Sequence, residues 1–237
     1  MVNQPRLDGI KACVFDAYGT LFDHASAALG SRDVLGDKRE PFTRLWREKQ
    51  LQYTWLRSLQ SRYADFWQVT GDALDFAMEA LGLTSAELRG NLMNTYLALD
   101  AFSEVAETLR RLRAMELKTA ILSNGTPEML ERAVVNAHLE DLFDVVLSVE
   151  EAGVYKPHPS VYQLAVDHLS LKCREILFLS SNAWDAYAAS AFGMRVVWCN
   201  RYGQNAERLP GRPDHEIKTL DELPALIAAT RGTGAKG

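Results

Sequence analysis

At 237 residues the chain can bury a sizeable core, either as one domain with a large insertion or as two small domains. Hydrophobic residues make up 47% and charged residues 24%; the net charge of −5 comes with no dense Lys/Arg block, which argues against nucleic-acid and anionic-membrane partners. No apolar run approaches the roughly 20 residues of a membrane span, and the scattered Cys13, Cys173 and Cys199 form neither a disulfide framework nor a zinc site.

The opening Met-Val-Asn-Gln-Pro-Arg-Leu-Asp lacks the basic-then-apolar layout of a signal peptide, so a cytoplasmic protein is expected. A short apolar run, Ala12-Cys13-Val14-Phe15, then reads as a strand ending in Asp16-Ala17-Tyr18-Gly19-Thr20. From about 23 to 100 the pattern is helical. Phe42, Leu45, Trp46, Tyr53, Leu56, Tyr63 and Trp67 recur near the helical period, and Thr84 with Glu87 predicts a capped helix running toward Tyr96. The aromatic stripe from Trp46 to Trp67 is expected to be mainly packing. Beyond residue 100, strands are predicted at Thr119-Ala120-Ile121-Leu122, Val145-Val146-Leu147, Ile176-Leu177-Phe178-Leu179 and Arg195-Val196-Val197-Trp198. Helices are predicted near 127–137, 160–169 and 183–192, and Thr219 with Glu222 should cap the last one.

Such alternation predicts an α/β fold: a Rossmann-like parallel sheet covered by helices on both faces. The expected core domain is 1–22 plus 101–237, interrupted after its first strand by a helical cap domain, 23–100, with 231–237 a disordered tail. In open parallel sheets ligands bind beyond the carboxyl ends of the strands. Polar clusters stand at four such ends: Asp16-x-Tyr18-Gly19-Thr20, Ser123-Asn124-Gly125, Lys156-Pro157-His158-Pro159 and Ser180-Ser181-Asn182-Ala183-Trp184-Asp185. They are far apart in sequence but would meet at one crevice. The histidines offer no catalytic cluster, and Ser123-Asn124-Gly125 is not a nucleophile elbow.

These four ordered motifs resemble those of the haloacid dehalogenase-like superfamily, in its L-2-haloacid dehalogenase branch, and the resemblance spans nearly the whole chain. Two departures separate the sequence from the phosphatases of that superfamily. Tyr18 stands where phosphatases carry a second aspartate as general acid, and Ser181 where they carry an acidic metal ligand. Phosphoryl transfer depends on both functions, whereas a halide leaves as a stable anion and needs only hydrogen-bond donors and a cation.

The resemblance implies a metal-independent enzyme without a cofactor that acts on a small 2-halo acid and releases halide ion. Asp16 would be the nucleophile that forms an ester intermediate. Lys156 would supply the positive charge beside it, Asp185 would orient Lys156 and the hydrolytic water, and Thr20 and Ser180 would hold Asp16 and Lys156 in place. Ser123 and Asn124 are expected at the substrate carboxylate, and Arg47 with Asn182 at the halide. Tyr18, Leu51, Phe66 and Trp184 would form the apolar wall, and Tyr162 would support the site. A homodimer is expected, again by resemblance. Two other readings stay open: a magnesium-dependent small-molecule phosphatase, which metal-dependent phosphate release would reveal, and a non-catalytic scaffold, which turnover of any of these substrates would exclude.

Overall fold

The computed structural model describes residues 6–23 and 35–230. The expected tail at 231–237 lies outside these. Six parallel strands form one sheet: β1 (Ala12–Phe15), β2 (Lys118–Ser123), β3 (Val145–Ser148), β4 (Ile176–Ser180), β5 (Arg195–Cys199) and β6 (His215–Ile217). Their spatial order is β3-β2-β1-β4-β5-β6. β1 therefore sits in the middle, with Phe15 paired to Ile121 on one side and to Leu179 on the other. Order reverses at this strand, which opens the crevice at the carboxyl ends.

β1 and β4 are buried along their whole length, as expected of strands covered on both faces, whereas edge strand β3 is half-covered. The five predicted strands are present. β6 is a sixth, three residues long, and pairs only with β5. The flanking helices are α4 (Val105–Ala114), α5 (Pro127–Asn136), α6 (Pro159–Leu169), α7 (Ala183–Phe192) and α8 (Leu223–Thr230). Their starts follow local chemistry: Thr126 accepts from the Met129 N–H with Pro127 in the first turn, and the His158 ring accepts from the Ser160 N–H ahead of Pro159. Gly193, at φ 110°, ends α7 and returns the chain to β5.

Three further helices, α1 (Arg39–Leu59), α2 (Phe66–Ala80) and α3 (Ala86–Tyr96), lie between β1 and α4. α1 buries Phe42, Trp46, Gln50 and Thr54, one per turn, against α2. The indole N–H of Trp46 donates to the Thr70 carbonyl at 3.0 Å. α3 corrects one expectation. Its cap is Ser85, whose hydroxyl accepts from the Leu88 N–H, and the predicted cap Thr84 lies one residue too early. Both residues can cap a helix, and the one whose oxygen reaches the first-turn amide takes the position.

The chain leaves the sheet at 20–23 and returns at 100–104 as two antiparallel stretches. The Asp23 N–H donates to the Asp100 carbonyl at 2.9 Å and the Phe102 N–H to the Leu21 carbonyl at 2.9 Å. No helix among the described residues is long and apolar enough to cross a membrane.

Candidate active site

Asp16 is the first residue beyond β1. Its N–H donates to the Leu179 carbonyl at 2.8 Å, so the backbone is still held by β4. The chain then turns at once: the amides of Thr20, Leu21 and Phe22 all donate to the Ala17 carbonyl, with Gly19 at φ 85°. The Asp16 side chain is almost fully enclosed. Its Oδ2 accepts from Asn182 Nδ2 at 2.8 Å, Thr20 Oγ1 at 3.1 Å and Ser180 Oγ at 3.4 Å. Its Oδ1 accepts from Lys156 Nζ at 3.1 Å. Thr20 is itself fixed, since its hydroxyl accepts from the Ser181 N–H at 2.8 Å.

Lys156 is 1% exposed and lies between two carboxylates, 3.1 Å from Asp16 and 2.8 Å from Asp185. Burial disfavours its ammonium, but Asp16 and Asp185 outweigh that and hold its pKa above the ordinary lysine value. Asp185 is 0% exposed. Desolvation pushes its pKa up, and the neighbouring ammonium opposes the shift. Its second oxygen accepts from the Tyr162 hydroxyl at 2.7 Å. That hydroxyl is pushed well above its ordinary value, by burial first and then by the Asp185 charge. The main chain of Lys156 is pinned as well, its N–H donating to Asn124 Oδ1 at 3.2 Å. Three charges shut away from water in this way persist only because each has partners.

Above this floor, Arg47 reaches down from α1. Its guanidinium donates to Asn182 Oδ1 at 3.3 Å and to Gln50 Oε1 at 2.7 Å. Gln50 is buried, and its amide donates to Thr70 Oγ1 at 2.7 Å and the Tyr96 hydroxyl at 3.1 Å. Tyr18 packs between Phe66 and Tyr96, with ring centroids 5.7 and 5.4 Å away. Its buried hydroxyl has no hydrogen-bond partner among the described residues. Burial, reinforced by Tyr96 and Asp16, holds its pKa well above the ordinary tyrosine value. A Cβ at position 125 would lie 2.8 Å from that hydroxyl, so only glycine leaves room for it.

The structure thus brings Asp16, Thr20, Lys156, Ser180, Asn182, Asp185 and Tyr162 into one network, with Arg47, Tyr18 and Phe66 over it. Five expected residues stand as follows. The Asn182 N–H donors go to Asp16 and to the Tyr18 carbonyl, so only its oxygen faces Arg47. Trp184 lies edge-on to Trp55, centroids 5.4 Å apart, in an apolar groove of about 650 Å³ that Lys156 and Tyr162 also line. Leu51, four residues along α1 from Arg47, is half-buried. Ser123 is fully buried, and its Oγ accepts from the Gly125 N–H at 3.1 Å, which leaves its own hydroxyl proton free to donate. Asn124 gives its side-chain oxygen to Lys156.

Gln50 and Tyr96 were not anticipated. A signal for Gln50 existed: it falls on the Phe42–Trp46–Thr54 face of α1, where a polar residue must find partners inside.

The sequence matches the family model for haloacid dehalogenase-like hydrolases over residues 10–193. It is 45% identical to the (S)-2-haloacid dehalogenase of Pseudomonas sp. (strain YL) over 232 residues, 98% of this chain and 100% of that one. A solved dehalogenase structure superposes with a TM-score of 0.91 at 42% identity, covering 93% of this chain and 98% of its own. The L-2-haloacid dehalogenase of Xanthobacter autotrophicus, solved with chloropropionic acid covalently bound, matches with a TM-score of 0.86 at 38% identity, over 92% of this chain and 98% of its own. On these matches the chain belongs to the haloacid dehalogenase-like hydrolase family.

Proposed function

We propose that the protein is an (S)-2-haloacid dehalogenase that hydrolyses short L-2-haloalkanoic acids to D-2-hydroxy acids. An Asp16 oxygen bonds to C2 from the face opposite the halogen as the C2–halogen bond breaks, and the halide leaves with the electron pair. The product of this step is an ester of Asp16. Water then adds to the Asp16 carboxyl carbon rather than to C2. The tetrahedral intermediate collapses to release the 2-hydroxy acid and restore the carboxylate; one proton of the added water ends on the product hydroxyl and the other passes to solvent, so C2 is inverted once.

The carrying observation is the buried Asp16–Lys156–Asp185 trio, in which the putting-away of water leaves fixed donors around one carboxylate. Either Asp16 oxygen can become the oxyanion during ester hydrolysis, because each already faces donors: Lys156 at one, and Asn182, Thr20 and Ser180 at the other. Asp185, hydrogen-bonded by Lys156 and Tyr162, is the fixed carboxylate nearest the lysine and would orient the attacking water. Arg47 is the cation for the departing halide. Ser123 and the backbone N–H groups beside it would meet the substrate carboxylate, while Tyr18, Phe66, Leu51 and Trp184 would wall the alkyl group.

Where a phosphatase needs a proton donor, the chain carries Tyr18, whose raised pKa makes it a poor acid. The related proteins support the same reading, in name and, for the Xanthobacter structure, in a covalently bound chloropropionic acid. The domain division at 23–100, a cytoplasmic location and a homodimer complete the proposal.

A single turnover in oxygen-18 water with enzyme in excess tests it. L-2-chloropropionate should give chloride and largely unlabelled 2-hydroxy acid, with EDTA present, because the new hydroxyl oxygen comes from Asp16. Label in the product of that first turnover would rule out the ester.

A further inference from the structure

The carboxyl end of β5 carries a cation that none of the roles above uses. Arg201, two residues beyond β5, has a side chain 7% exposed. Its guanidinium donates to the Thr20 carbonyl at 2.9 Å. It lies 2.6 Å from a carboxylate oxygen of Glu104, whose side chain is 17% exposed, and stacks at 3.9 Å on the ring of Phe102. These three contacts belong to two different stretches of chain. Thr20 is on the stretch leaving the sheet, while Phe102 and Glu104 are on the stretch returning to it, ahead of α4.

We infer that Arg201 is a positioning residue for the nucleophile, a clamp that ties the turn after Asp16 to the returning strand. The inference rests on the reading of Asp16 as nucleophile. Thr20 is the link. Its carbonyl is held by Arg201, its hydroxyl donates to Asp16 Oδ2, and the same hydroxyl accepts from the Ser181 N–H. A shift of the Thr20 backbone therefore moves one of the donors that fixes the carboxylate, and a displacement of about 1 Å at a reacting group can cost about 10²-fold in rate.

The planar fork of arginine suits this place. One terminal nitrogen, Nη2, meets both the carbonyl and the carboxylate, and the flat guanidinium lies on the ring, a face that the compact ammonium of a lysine lacks. Because the ion pair is largely buried, removing one partner leaves the other charge shut away from water.

The test compares wild type with Arg201→Met, Arg201→Lys and the double variant Glu104→Gln/Arg201→Met, which removes both charges and leaves none buried alone. For folded variants, halide release should show kcat lowered about tenfold or more with KM within about threefold, and Arg201→Lys should recover part of the loss. Amide exchange in 19–23 should rise in Arg201→Met relative to β2. Unchanged kcat in a variant that has lost the clamp, or a loss confined to KM, overturns the inference. Wild-type protein that releases no halide would instead overturn the dehalogenase reading. In that event the exchange measurement decides alone, and unaltered exchange in 19–23 removes the clamp.

Discussion

On the floor of the site the carboxylates are fully engaged. Both oxygens of Asp16 and both of Asp185 have donors, and the only ammonium in the group lies between them. The helical layer above is built otherwise. It offers rings (Tyr96, Phe66) and one half-buried arginine that holds the amide oxygens of Gln50 and Asn182. Removing a floor charge should therefore damage folding and turnover together, because a buried partner is left unpaired. Removing the roof cation should damage turnover alone.

The largest expected effect is that of Asp16→Ala, which should lower kcat for halide release by about 10³-fold or more and also lower stability, since Lys156 keeps one of its two carboxylates. Residual activity near a tenth of wild type would end the nucleophile assignment. Next comes Lys156→Met. It leaves two carboxylates facing each other without a cation, and the expected loss is about 3–5 kcal/mol in urea unfolding with about 10²-fold in kcat. A variant as stable as wild type would show that the floor is not held by its charges.

Arg47→Ala sharpens the contrast. Halide release should fall by about 10-fold to 10²-fold with stability changed by no more than about 0.5 kcal/mol. An unfolding midpoint displaced as far as that of Lys156→Met would erase the distinction between floor and roof. The smallest effect is in pH dependence. The folded pKa of Lys156 lies above its unfolded value, so its contribution to stability is complete below about pH 10.4 and is lost only as pH climbs through the higher folded value. The stability difference between wild type and Lys156→Met should thus stay level up to about pH 10.4 and shrink beyond it. A decline beginning at neutral pH would contradict this coupling.

Much of this arrangement was legible beforehand because apolar runs bounded by polar clusters report strands and their ends. The order Asp16, Ser123, Lys156, Ser180 follows from β1, β2, the chain after β3, and β4 meeting at one edge of the sheet. β6 escaped because it is three residues long, carries the exposed Glu216 at its centre and has one neighbour only. Gln50 was hidden by its type, since glutamine in a helix usually faces water. Only its spacing from Trp46 points to the interior. Asn182 was expected at the halide, and its amide donors go to Asp16 and the Tyr18 carbonyl, because a sequence shows which donors gather and not which oxygen each will choose. Arg201 stands beyond the fifth strand, outside the polar clusters at the four other strand ends. The carboxyl end of β5 faces the same crevice.

The lysine between two acids has a consequence for timing. At rest its single positive charge is shared by two negative neighbours. In the proposed Asp16 ester one of those neighbours is neutral, and the ammonium answers to Asp185 alone. With the negative charge of Asp16 gone, the net potential at the acyl carbon is more positive at the stage when water must add there. Loading the enzyme with its first product would in this way prepare the second step, without movement of any strand.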